Sequence, residues 1–185
     1  MTDLHFDMSG FKSASNEFAN AAKQAPDATR RAVNHTGDKA RTAMRVALVA
    51  QTGLKRKTMN KALTSKRASS KGGGSYTIKS KGGNVRLQFF KAKETRAGVS
   101  AAPWNARRVF ASTFIKGGQF PNRVALNMGG AVLIRAGKAR YPMKTIKSGL
   151  FIPEEMVTGN SAQAFYTTVE RDLPARIAHE IMRSL

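Results

Sequence analysis

Residues 76–90, YTIKSKGGNVRLQFF, are where the hydrophobic period of this chain changes. Tyr76 and Ile78 alternate with Thr77 and Lys79, Gly82-Gly83-Asn84 offers a turn, and Val85, Leu87 and Phe89 then alternate with Arg86 and Gln88. A period of two predicts strands, so this stretch reads as a β-hairpin with apolar side chains inward and cations outward. Two further strands are expected downstream, over 108–116 and 123–128. Gly129-Gly130 would turn the second of these into 131–135 as another hairpin. Between the hairpins, 95–106 reads as a long irregular loop. Compact domains rarely carry one without a purpose, such as contact with a neighbouring subunit.

Upstream the period is helical. Ser9 reads as an N-cap for a face made of Phe11, Ser15, Phe18 and Ala22. Pro26, with Asp27 in the first turn, opens a second helix whose apolar side shows Val33, Ala40, Met44 and Leu48, and Gly53 is its natural stop. A third segment, 54–67, is dominated by Lys55, Arg56, Lys57, Lys61, Lys66 and Arg67, with Met59 and Leu63 as its anchors. At the other end of the chain Phe165, Val169, Leu173, Ile177, Ile181 and Leu185 recur every four residues, and Pro174 falls inside that pattern. The expected fold is one α+β domain. It has a helical part over 9–67, a flexible connector over 68–75 and an antiparallel sheet of four to five strands in hairpins over 76–148. A long C-terminal helix over 152–185 is expected to kink or restart at Pro174.

Charge is distributed very unevenly. Residues 39–147 hold 25 of the 32 Lys and Arg but only one acid, Glu94, and the whole chain carries +21. A soluble domain so lopsided meets something negative or sits in an assembly that neutralises it. Two readings stay open. Lys55, Arg56, Lys57, Lys61, Lys66 and Arg67, with Arg107 and Arg108, form a patch for a polyanion such as DNA, which needs no motif beyond phosphate neutralisation. Alternatively the same cations meet acidic faces of protein neighbours in an assembly, or are simply solvated. No base-stacking aromatics are interleaved with them, and no helix-turn-helix or RNA-recognition signature stands out.

Catalytic chemistry is hard to build from these residues. Metal-dependent phosphodiester cleavage needs two or three carboxylates about a cation, and the basic block offers Glu94 alone. Glu154, Glu155, Glu170 and Asp172 read as capping and solvated residues. There is no cysteine, and His5, His35 and His179 lack metal-ligand spacing. Gly137-Lys138 lacks the Ser/Thr and the upstream glycine of a phosphate-binding loop, and the glycine pairs at 82, 117 and 129 read as turns. No catalytic residue, metal or cofactor is expected. The longest apolar runs, 46–50 and 131–134, are far below the roughly 20 residues of a membrane span. Asp3 and Asp7 stand where a secretion signal would be basic, so a cytoplasmic product is expected.

Gly137-Lys138-Ala139-Arg140-Tyr141-Pro142 resembles the Gly-Lys-x-Arg-Tyr-Pro turn of the prophage minor tail protein Z family. As in that family, an extended segment rich in Ile, Pro and Met follows (143–153), and then a long helix with an internal Leu173-Pro174. Phe114-Ile115 matches an Ala-Phe-Ile strand, and Thr52 to Lys57 matches a basic Thr-x-(basic)3 segment, whereas 71–106 aligns with nothing in the family. The resemblance implies a tail completion or head–tail connector protein without catalytic function. Such proteins form a ring, usually hexameric, around the DNA channel. The implied partners are further copies of this chain, tail-tube or tail-terminator and head-completion proteins, with nonspecific contact to genomic DNA and none to membrane. The implied location is the neck of the virion tail, after assembly in the host cytoplasm. Within the motif, Tyr141-Pro142 is expected to fix the chain between the sheet and the last segment.

Overall fold

Two helices far apart in sequence lie against each other and carry the rest of the chain. The computed structural model describes residues 2–6, 25–69 and 74–184. Strand β1 (Thr2–Phe6), unforeseen in the sequence, precedes helix α1 (Ala25–Thr52). The expected helix bearing Phe11, Ser15, Phe18 and Ala22, with its Ser9 cap, lies outside the described residues. Pro26 sits in the first turn of α1, where a missing N–H costs nothing, and Gly53 ends the helix with φ at +74°. Val33, Ala40, Met44 and Leu48 are all buried, as their spacing predicts. Helix α2 (Arg56–Ala62) then gives way to strand β2 (Leu63–Lys66), with Met59 and Leu63 as the buried anchors.

The β region differs from the expected hairpins. Strand β3 (Tyr76–Ser80) is the centre of a three-stranded antiparallel sheet, ordered β1-β3-β2. The short strands β4 (Asn84–Arg86), β5 (Lys93–Thr95), β6 (Gly98–Ala101), β7 (Arg108–Ala111), β8 (Thr113–Phe114) and β9 (Lys116–Gly117) follow. Then come β10 (Val124–Ala125), β11 (Leu133–Arg135), β12 (Met143–Thr145) and β13 (Lys147–Phe151). β4 pairs with β13 rather than β3, because β1 and β2 occupy both edges of β3. Alternation revealed the face of β3 made by Tyr76 and Ile78, which Ser80 continues, yet Thr77 on the other face is buried too. Leu87–Phe89 is a single 3-10 turn that buries Leu87, with Phe90 behind it, and leaves Phe89 exposed.

The second expected hairpin is also corrected. β10 pairs with β9, and β11 lies between β12 and β8, so Gly129-Gly130 joins two different sheets. The expected strand over 108–116 is three short pieces, interrupted at Ser112, whose φ is +59°. The stretch 95–106 is not irregular. It contains β6, buried along its length, and the turn Pro103–Asn105, and β5, β6 and β7 form one sheet. In place of the four to five expected strands, eleven short ones run from Tyr76 to Phe151, and with β1 and β2 the described residues form five small antiparallel sheets. The connector starts later than residue 68. Ala68 is buried and bonded both ways to the Asn34 side chain, N–H to Oδ1 at 2.8 Å and C=O from Nδ2 at 3.0 Å.

The C-terminal segment is two helices, α3 (Ile152–Val157) and α4 (Gly159–Ser184), separated by an extended Thr158, with α4 opening on Gly159 at φ +60°. The chain is thus α+β, with antiparallel sheets and a long C-terminal helix. No restart occurs at Pro174, which lies inside α4. Both Pro174 and Glu170, whose carbonyl loses its helical partner, are exposed, so water can satisfy that oxygen. Phe165, Val169 and Leu173 are buried, Ile177 and Ile181 half-buried, and Leu185 lies outside the described residues.

Three ties set α1 and α4 antiparallel. Gln51 Oε1 accepts from the Ser161 N–H at 3.3 Å, Lys39 pairs with Asp172 at 3.3 Å, and Arg31 pairs with Glu180 at 2.7 Å. Glu180 is buried and also receives Arg176 at 2.6 Å and Arg183 at 3.7 Å. The Arg31 hydrogen bond holds its carboxyl below the usual range, against the opposing effect of burial. The β1-β3-β2 sheet docks on the same helix through Tyr76. Its ring lies where Gly37 has no side chain, and a Cβ there would stand 2.4 Å from the ring. Its hydroxyl donates to Asp38 Oδ1 at 2.8 Å.

Gly37→Ala adds helix propensity of about 1 kcal/mol but forces the ring away, so a net loss of about 1–2 kcal/mol is expected in the urea midpoint. An unchanged or raised midpoint would show that helix and sheet separate without cost. Glu180→Gln removes an acid whose pKa is depressed in the fold. Its contribution is complete above the ordinary value of 4.5 and fades as pH falls through the lower folded value. The variant should be less stable than wild type at pH 7 by about 1–2 kcal/mol, the half-exposed Arg31 keeping the figure low. The two stability curves should converge in acid. Parallel curves down to pH 2 would refute this.

Candidate functional site

The eight cations of the expected patch are all exposed, but they do not lie together. Arg67 forms an ion pair with Asp38 midway along α1, and Lys66 sits beside Thr77 in the β2–β3 ladder. Lys55, Arg56 and Lys57 begin beyond Thr52, 14 residues and about 21 Å further along the helix axis. A single continuous patch over 55–67 is therefore corrected to two separate groups, with Lys61 on α2 between them.

Arg107 and Arg108 fall at the Lys55 end. Gly53 packs on Asn105, whose Nδ2 donates to the Ala50 carbonyl at 2.6 Å. This contact brings the start of α2 and the start of β7 to the same end of α1. The two arginines are braced, Arg107 by Ser100 Oγ at 3.1 Å and Arg108 over the Phe110 ring at 4.8 Å. Arg45, bonded to Asn60 at 3.0 Å, lies next to this group. Burial, then the cations Arg56 and Arg41, lower its pKa, a sign of crowding among like charges.

The Gly137–Pro142 motif forms the loop between β11 and β12. An Ala136 N–H to Pro142 carbonyl bond of 3.0 Å closes it, and Gly137, Lys138 and Arg140 are exposed. Tyr141 is 62% exposed, with the Arg140 guanidinium 5.6 Å from its ring centre. Of the expected anchor Tyr141-Pro142, the Pro142 carbonyl takes part in the backbone pairing that positions the loop, whereas the Tyr141 ring faces outward. Phe120, Val124 and Met128 are also exposed, on the stretch 116–130 that carries Lys116 and Arg123. Sequence reasoning missed this surface because Val124 and Met128 were read as a strand face.

The acids are committed to the fold. Glu94, the one acid of the basic block, accepts from the Ile115 N–H at 3.2 Å and from Arg123, clamping β5 to the segment 115–123. Glu155 is more than a solvated first-turn residue. Its Oε2 accepts from Gln51 Nε2 at 2.6 Å and its Oε1 from Trp104 Nε1 at 2.7 Å. Asp172, held by Arg171 and then Lys39, has its carboxyl lowered to about 2. Among the described residues no group of three His, Asp or Glu could hold a metal ion. No helix among them is long and apolar enough to cross a membrane.

No protein-family model, curated protein or solved structure matches this chain. Since its ring contributes little to packing, Tyr141→Ala should unfold within about 0.5 kcal/mol of wild type in denaturant. A loss several times larger would place the ring in the core.

Proposed function

We propose that this protein is a structural virion subunit of a long-tailed phage or prophage, a tail completion or connector protein. Copies of it would form a ring at the head-proximal end of the tail, joining tail to head around the DNA channel. The observation that carries this reading is the Gly137–Pro142 turn. It resembles the tail protein Z motif in sequence, and it stands on the surface with Tyr141 exposed, where it serves contact rather than folding. The exposed Phe120, Val124 and Met128 add the apolar surface that a subunit interface uses.

Charge limits how such a ring is built. Six copies at +21 each would carry +126, so assembly requires acidic neighbours, DNA, or both. Most cations face protein partners in this reading, since many phosphate contacts per subunit would hold DNA too tightly for rapid passage. The expected partners are tail-tube or tail-terminator and head-completion proteins. A second reading, a nonspecific nucleic-acid-binding protein, draws support from the exposed lysines at the start of α2.

In a phage carrying Tyr141→Ala, the folded subunit should be made but joined particles should be few, with separate heads and tails in electron micrographs. Wild-type infectious yield would overturn the connector reading. Tight, steeply salt-dependent duplex binding by a monomer that forms no ring on tail-tube protein would favour the second.

A further inference from the structure

We propose that the hollow ringed by Arg96, Lys116, Arg123 and Arg135 is a phosphate-group site that takes a phosphodiester of the DNA backbone. The hollow has a volume of about 560 Å³, with Phe114 and Ile134 among its walls. Its size is that of a ligand site rather than a packing defect. The four cations come from the β5–β6 turn, β9, the approach to β10, and β11. Only the tertiary fold brings them together.

Among the described residues no acid lines this hollow. Glu94 stands behind it and pairs with Arg123, while Arg123 Nε is buried without a hydrogen-bond partner. The Arg135 guanidinium is held over the Phe114 ring, 5.9 Å from its centre. Like charges held around one concavity repel each other, and an anion inside it removes that repulsion.

The shape of the charge selects the anion. Cations on several sides of one hollow suit an anion whose oxygens point in several directions, as those of a phosphodiester do. The lysines at the start of α2 lie at the end of a helix pair and are not part of this lining. This site therefore names the minority of cations that meet DNA, and it stands whether or not the subunit forms a ring.

The test uses the full chain and a fluorescently labelled duplex, with affinity measured by anisotropy across a salt series. Arg96 and Arg135 are both exposed, so R96A/R135A should fold, which circular dichroism checks. K55A/K57A removes the same charge elsewhere. R96A/R135A should lower the log–log salt slope by about 1.8 and weaken binding about tenfold or more, with a clearly smaller effect from K55A/K57A. Equal losses in both variants would overturn the proposal, because bulk charge would then explain the binding. Inorganic pyrophosphate should compete with DNA on wild type and lose that competition on R96A/R135A. Pyrophosphate binding without DNA binding would overturn the assignment to the DNA backbone. Sedimentation of the same samples reads ring formation separately, so failure of the connector reading leaves this result interpretable.

Discussion

The antiparallel contact between α1 and α4 is the constraint on which the rest of the fold depends. The two helices face each other along Gln51–Ser161, Lys39–Asp172 and Arg31–Glu180, although more than 100 residues separate them in the chain. Everything from Gly53 to Thr158 is an excursion that must leave one end of this pair and return to it. Gln51, Glu155, Trp104 and Asn105 gather at that end and tie both helices, α3 and the Pro103–Asn105 turn into one hydrogen-bonded joint. Burial of Phe165, Val169 and Leu173 with Met44 and Leu48 supplies the driving force, and the polar ties set the register.

This frame also explains the division of charge. Among the described residues, four acids outside the basic block sit on the two helices and hold cations there: Asp27 pairs with Arg30, Asp38 with Arg67, Asp172 with Lys39 and Arg171, and Glu180 with three arginines. Within the block, Glu94 can neutralise one cation, and it takes Arg123. The excursion is thus left with a large uncompensated positive charge, carried by short strands and exposed loops rather than by the core. A segment of that kind is stable because it is anchored, and its surface is free to meet a partner.

What could be read along the chain was what depends on local spacing. α1 was legible because Val33, Ala40, Met44 and Leu48 repeat at the helical period and Pro26 and Gly53 bracket them. The core face of α4 was legible for the same reason. The hairpin over 76–90 was misassigned because alternation reports that a strand has a buried face, not which strand lies beside it. β3 takes β1 and β2 as neighbours, and β4 waits for β13, more than 60 residues later. Glu94 and Glu155 were undervalued because the groups that bond them come from distant segments.

The sequence by itself determined the class of the fold, the two long helices, the absence of cysteine chemistry and the location of the charge, since each is a property of composition or of near neighbours. Only the tertiary structure decided how the strands pair, that 55–67 is not one patch, and that Tyr141 faces solvent. It alone decided that Arg96, Lys116, Arg123 and Arg135 surround one hollow. Those outcomes depend on which distant segments compete for the same buried edge or helix face, and that competition is settled by packing rather than by spacing along the chain.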